Sequence, residues 1–252
     1  MQDMNSTICN AVTNYGETVT LIDTRDNKTY TEAKLKDNKC WMTQHLALEL
    51  STSTALTSET SDLNTVSSWT PERNTIASNS LSSSTWTNSQ TDPYSYKSST
   101  ASYAIYYNWT AAIASNDSSS LTTKYTTAPN SICPKGWRLP MVYNGSSSNM
   151  PNEFGSLLLQ YGYIGNAKPG DGSGTPWTNS GYTKIQSAPI NFALSGYVYG
   201  GTVNYAGSHG YLWSSTVNSS SYAYCLAFNS TSVYPQGYDN RFRGFPVRCV
   251  LR

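Results

Sequence analysis

Apolar residues fall in short alternating runs parted by polar turns, with one helical pattern among them. Glu17-Thr18-Val19-Thr20-Leu21-Ile22-Asp23-Thr24 is rich in β-formers, and the polar stretch Asp23 to Lys28 separates it from Thr29-Tyr30-Thr31-Glu32-Ala33-Lys34-Leu35. That pattern predicts a hairpin. A second polar turn, Lys36 to Lys39, leads into Cys40-Trp41-Met42, whose apolar side chains are expected in the core, and Thr43 to Leu48 is expected as a short helix or strand. Phe154, Leu157, Leu158 and Tyr161 stand at helical spacing, with Pro151 near the first turn and Gly162 after the last, which predicts a helix. Gly165 to Gly181 reads as a Gly/Pro/Ser loop. From Asn191 onward, short extended segments predict a small irregular antiparallel sheet. Within it, Tyr222 to Asn229 alternates with period two, so Tyr224, Leu226 and Phe228 are expected inward and Ala223, Cys225, Ala227 and Asn229 outward.

Between Ser51 and about Thr100 the composition shifts to Ser, Thr and Asn with scattered Trp69, Trp86, Tyr94 and Tyr96. Such a stretch builds no core of its own. It is expected to be an insertion anchored by its aromatics within a single α+β domain spanning residues 1–252. Cys133-Pro134-Lys135-Gly136-Trp137-Arg138-Leu139-Pro140 reads as a stiff junction with Trp137 as an apolar anchor.

The charge pattern narrows the function. Charged residues are 12% and the net charge is +1, so the footprint of a nucleic-acid or anionic-membrane binder is missing. Seven Trp and twenty Tyr speak against disorder. No apolar run is long enough for a transmembrane segment, and Met1-Gln2-Asp3-Met4 lacks the features of a secretory leader. Five cysteines leave one thiol over and their connectivity open; with the Lys-poor, Ser/Thr-rich composition they lead us to expect an extracytoplasmic or cell-surface monomer.

Candidate chemistry is sparse. His45 and His209 lie in no catalytic motif and are expected at the surface or in a binding loop. Asp171-Gly172-Ser173-Gly174 and Asp239-Asn240 offer oxygens but read as turns, so neither a metal nor any other cofactor is expected. The tail from 197 to 243 is different: it is crowded with Tyr, Ser, Asn and Gly, the residue types of adaptable binding surfaces. The expected partner is a protein or other surface ligand.

Five landmarks occur in order: Asp23-Thr24-Arg25-Asp26 with Tyr30, Cys40-Trp41-Met42, Cys133 to Pro140, Leu212-Trp213-Ser214-Ser215-Thr216, and Gly244-Phe245-Pro246-Val247-Arg248-Cys249-Val250. Together they resemble the bacterial major paralogous domain family first noted in Fibrobacter, in the formylglycine-generating-enzyme-like branch of the C-type lectin fold. The match covers most of the chain outside the insertion. The same fold carries the variable proteins of diversity-generating retroelements, whose target codons are rewritten at adenines. The resemblance therefore implies a C-type lectin fold with a diversified, non-enzymatic binding face. Its candidate positions are Tyr199, Asn204, Tyr205, Ser208, His209, Tyr211, Asn218, Tyr222, Tyr224, Cys225, Ala227, Asn229, Tyr234, Tyr238, Asp239 and Asn240. It also implies Cys133–Cys249 and Cys9–Cys40 bridges, with Cys225 as the free thiol. A formylglycine-generating-like oxidoreductase using Cys225 and a passive adhesin are the alternatives. The first needs a closely spaced reactive cysteine pair, and Cys225 and Cys249 are far apart in sequence. The calcium-binding lectin pattern is also missing, because Ser214-Ser215 follow Trp213.

Overall fold

The computed structural model describes residues 1–51, 53, 55–72, 105–142, 152–162 and 180–252, with backbone alone at 76–77, 95–97 and 175–176. Asn5 caps a first helix, α1 (Ser6–Ala11), by accepting the Ile8 amide on its side chain. The buried residue of that helix, Cys9, is disulfide-bonded to Cys40. The β-rich run forms β1 (Thr18–Ile22), and the chain turns with Asn27 at a left-handed φ of 58° before returning as β2 (Thr29–Lys34). β3 (Cys40–Met42) pairs with β2, and all three of its residues are buried as expected. Thr43 to Leu48 is neither helix nor strand. Its backbone is satisfied from a distance, with Thr43 N–H donating to the Thr31 carbonyl, Leu46 N–H to the Val247 carbonyl and Ala47 N–H to the Tyr30 hydroxyl.

β4 (Leu56–Thr57) and β5 (Ser68–Trp69) form a two-stranded ladder with Trp69 buried. Trp86, Tyr94 and the Tyr96 side chain lie outside the described residues. β6 (Ile76–Ala77), β7 (Ser95–Lys97) and β8 (Ile105–Tyr107) make a three-stranded sheet, followed by α2 (Trp109–Ala112) and β9 (Trp137–Arg138). The expected helix is α3 (Glu153–Leu159), capped by Asn152 accepting the Gly155 amide and burying Phe154, Leu157 and Leu158. Next come β10 (Thr175–Pro176) and α4 (Gly181–Gln186), then β11 (Tyr197–Tyr199), β12 (Thr202–Asn204), β13 (His209–Val217), β14 (Tyr222–Asn229), β15 (Ser232–Asn240) and β16 (Val250–Leu251). Asp239-Asn240 therefore ends a strand rather than forming a turn.

The architecture is mixed α and β with mainly antiparallel sheets. Four short helices stand among the described residues, where one or two were expected. α1, α2 and α4 have six, four and six residues, too few turns for hydrophobic periodicity to reveal them. One sheet runs β1-β2-β3-β16-β9 and joins the chain's two ends; a second runs β10-β15-β14-β13. The Cys133–Cys249 disulfide ties the segment before β9 to the one before β16. Both bridges follow the implied pairing, and Cys225 is free.

Two buried ion clusters pin this frame. Arg25 holds the fully buried Asp23 through Nη2 to Oδ2 at 2.6 Å and donates Nη1 to the Ile132 carbonyl at 2.6 Å, which locks the β1–β2 turn against the Cys133 junction. Glu153, also fully buried, accepts Arg138 Nη1 at 2.6 Å and Nη2 at 2.7 Å and pairs with Lys39. Burial alone would raise both carboxyls; hydrogen bonding and charge from Arg25 on Asp23, and from Arg138 and Lys39 on Glu153, outweigh it and lower both pKa values.

Candidate functional site

Strand pairing decides which side chains of the tail meet. Tyr211 lies opposite Ala227, which lies opposite Tyr234; His209 lies opposite Asn229, and Trp213 opposite Cys225 and then Gly237. Paired residues share a face, so these positions, with Ala223 and Asp239, form one face of the sheet. Leu212, Tyr222, Tyr224, Leu226, Phe228, Tyr238 and Asn240 form the other. Between Cys225 and Ala227 the register shifts, because β15 carries an extra residue near Pro235-Gln236. That bulge brings Tyr234 onto the same face as Gly237 and Asp239.

The candidate residues therefore divide. Tyr238 contacts both Tyr222 and Tyr224 on the second face, where Tyr125 stacks on Tyr224 with centroids 5.7 Å apart. Tyr224 is buried there with Leu226, Phe228, Phe154 and Leu157, as the alternation predicted. The outward expectation for Ala223 and Cys225 is overturned: both are buried, because their face packs on a second core containing Trp213, Phe245 and Trp109. β14 is covered on both sides at its middle, whereas Ala227 and Asn229 at its end are half-buried. Burial, reinforced by the Asp239 charge, pushes the Cys225 thiol well above its ordinary value. It stays protonated at neutral pH and is a poor nucleophile.

Where the first face emerges from the core, the aromatics remain connected but become accessible. Phe245 stacks on buried Trp213 at 4.1 Å and touches Tyr211 at 4.8 Å; Tyr211 meets Tyr197 edge-on at 5.3 Å, and Tyr197 meets Tyr205 at 5.8 Å. Tyr205 is 57% exposed and Tyr199 44%. Arg243 lies 4.6 Å over Tyr197 and donates Nη1 to Asp239 Oδ2 at 2.7 Å, so cation and carboxylate neutralise each other at the shelf's margin. Phe242 packs on Tyr199 at 5.9 Å. Tyr197, Phe242 and Arg243 were missing from the candidate set. Tyr197 stands two residues before Tyr199 in the same strand, and Arg243 four after Asp239, which is the signal that would have found them. Burial raises the phenols of Tyr197 and Tyr211, so both remain neutral donors.

His209 stitches the shelf to the sheet. Asn229 Oδ1 accepts the Thr231 amide, the Thr231 hydroxyl and the Ser232 amide, which leaves its Nδ2 facing His209 Nε2 at 3.3 Å. An amide N–H needs a lone pair there, so the imidazole proton belongs on Nδ1, which faces Ser208 Oγ at 2.9 Å. The turn before it depends on Gly196, φ 64°, where a Cβ would come within 2.1 Å of the Asn204 carbonyl. Tyr205 adopts a left-handed φ of 57° although it is aromatic and exposed. The strained backbone sets its ring against Tyr197 and, edge-on at 4.8 Å, against His209, at the open end of the shelf. Of the remaining candidates, Asn204 Nδ2 donates to the Thr202 carbonyl, and Asn218 lies half-buried beyond β13.

The landmark Leu212-Trp213-Ser214-Ser215-Thr216 is itself an irregular stretch of strand, with a register shift between Trp213 and Val217. The Ser214 hydroxyl donates to the Tyr224 carbonyl at 2.7 Å, and Thr216 Oγ1 accepts the Val142 amide at 2.9 Å, replacing lost ladder bonds. Arg241 and Arg248 are structural as well. Arg241 lies 4.4 Å over Trp109 and donates to the carbonyls of Ser118 and Ser219, and Arg248 donates to those of Met42, Ile190 and Asn191. His45, expected at the surface or in a binding loop, is buried; desolvation and then the Arg248 charge lower its pKa well below the ordinary value. Among the described residues no group of three His, Cys, Asp or Glu side chains is placed to hold a metal, and no helix is long and apolar enough to cross a membrane. Asp171 to Gly174 lies outside the described residues.

The model of a Domain of unknown function (DUF8237) matches residues 177–250, the segment that carries α4, the second sheet's main strands and the shelf. No curated protein and no solved structure matches the chain.

Proposed function

We propose that this chain is a non-enzymatic binding protein built on a C-type lectin scaffold, and that the shelf of Tyr197, Tyr199, Tyr205, His209 and Tyr211 is its ligand face. The observation that carries this reading is the emergence of a continuous aromatic chain from a saturated core into solvent, with Tyr205 held in a strained backbone state. Exposed Tyr supplies large, rigid contact area, and the neutral phenols and Ser208 supply hydrogen bonds at the rim. The ordered landmarks and the adenine-codon residue types support a face diversified as in retroelement variable proteins. Two disulfides suit an extracytoplasmic or surface location. The oxidoreductase alternative is disfavoured by the buried, protonated Cys225 thiol.

The test is to sequence the 3′ end of the gene and its flanking DNA from many cells of one population. Substitutions concentrated at codons 199, 205, 209 and 211 beside a near-identical repeat are the expected result. An invariant tail without a repeat removes the diversification, and with it the main reason to place the ligand on the shelf.

A further inference from the structure

At the open end of the shelf the packing turns on His209, which stands half-buried at the start of β13. Its Nε2 faces the Asn229 amide nitrogen at 3.3 Å, and its Nδ1 faces Ser208 Oγ at 2.9 Å. The ring meets Tyr205 edge-on at 4.8 Å and runs nearly parallel to Tyr211 at 6.3 Å, so it links the exposed phenol to the half-buried one. Those two phenols are the other titratable groups packed against it, and burial keeps that of Tyr211 neutral. The charges at the shelf's margin, Asp239 and Arg243, are paired with each other, and among the described residues no carboxylate is ion-paired with His209. The backbone of His209 is fixed: its amide donates to the Tyr205 carbonyl at 3.0 Å, and its carbonyl accepts the Gly196 amide at 2.8 Å.

The contact with Asn229 exists in one protonation state only. In the turn between β14 and β15, Asn229 Oδ1 accepts the Thr231 amide at 2.9 Å, the Thr231 hydroxyl at 2.8 Å and the Ser232 amide at 2.9 Å. The amide therefore cannot exchange its oxygen for its nitrogen without giving up all three bonds. Its Nδ2 only donates, and Nε2 of the imidazole accepts only while it carries no proton. A proton there sets N–H against N–H, and with the backbone fixed the ring is the part that moves. We propose that His209 is a pH-sensitive latch on the ligand face: the neutral ring holds Tyr205 in place, and the imidazolium lets go and frees the open end of the shelf. Imidazole changes charge in the range from about pH 8 to about pH 5, so the latch is closed at the alkaline end and open at the acid end. A ligand that needs Tyr205 in its latched position is released on acidification and, by linkage, opposes protonation of His209 when it binds. This last consequence rests on the shelf being the ligand face; the latch itself does not.

The test follows the unliganded full chain by NMR from about pH 8 to about pH 5. At the alkaline end the ring nitrogen shifts of His209 should show a protonated Nδ1 and a bare Nε2. On acidification the Asn229 side-chain amide and the Tyr205 ring signals should move with the same midpoint as the His209 ring, and the Overhauser contact between the Tyr205 and His209 rings should be lost. His209→Gln offers Asn229 an amide oxygen that does not titrate, so in that variant the Asn229 and Tyr205 signals should stay in place across the range. A ring contact that persists at the acid end overturns the latch, as do the opposite tautomer at the alkaline end and Tyr205 signals that still titrate in His209→Gln. The first readings use the unmodified protein, so a variant that fails to fold does not shelter the proposal. Because no ligand enters, a failed latch leaves the shelf as the ligand face, and an invariant tail in the gene leaves the latch standing.

Discussion

Trp213 and Tyr205 belong to one chain of touching rings, yet they stand in opposite physical situations. Around Trp213 and Phe245 the rings are fully buried and the indole donates to the Tyr107 carbonyl at 2.8 Å. Around Tyr205 and Tyr199 the rings are exposed and the backbone is strained. Aromatic content alone does not tell frame from face; burial and hydrogen-bond saturation do. The frame end should be intolerant of change and the shelf end indifferent to it, as far as folding goes.

The comparison breaks hardest at the frame. Trp213→Ala removes a fully buried ring and leaves the Tyr107 carbonyl without its indole donor, so unfolding in urea should show a loss of ~3–5 kcal/mol. Replacing Cys133 and Cys249 together by Ser opens a link across 116 residues and should cost roughly 2–5 kcal/mol by the same measurement.

pH sharpens the picture further. Asp23 and Glu153 have folded pKa values below their unfolded ones of 3.8 and 4.5; their contribution is present above those values and fades as acid titrates through the folded ones. Asp23→Asn should therefore lower stability at pH 6 and flatten the acid limb of the stability profile. Glu32 has the opposite sign, since burial raises it from 4.5 to about 7, so the stability linked to it is lost as pH rises across that window. Glu32→Gln should flatten the fall between pH 4.5 and 7.

At the shelf the expected effects are small and partly favourable. Tyr205→Gly relaxes the left-handed backbone at φ 57° and should change stability by no more than ~1 kcal/mol in either direction, the released strain offsetting glycine's entropy. Tyr199→Ala should stay within ~0.5 kcal/mol. A loss of ~3 kcal/mol at either position, as large as a core truncation, would erase the distinction between the two ends.

Much of the frame was readable because its signals are local. The β1–β2 hairpin, the burial of Cys40-Trp41-Met42, α3 and the extent of β14 all follow from turns and periodicity. The shelf was readable only as a composition. Alternation says that neighbouring side chains point to opposite faces, but not which faces are covered. Cys225 and Ala223 are buried because distant segments around Trp109 and Phe245 pack over them. The bulge at Pro235-Gln236, which regroups Tyr234 with Asp239, is marked only by the proline within the strand, which signals an irregularity without saying which side chains it regroups. His45 has neighbours in space, Arg248 among them, that no short window contains.

The division between frame and shelf is tested most directly by replacing every residue from 197 to 250 with all others and scoring folded protein by resistance to protease. Tyr199, Tyr205 and Ser208 are expected to accept nearly any residue, and Trp213, Arg241, Phe245, Arg248 and Cys249 almost none. Equal intolerance at both ends would make the shelf part of the core and contradict its assignment as a binding face.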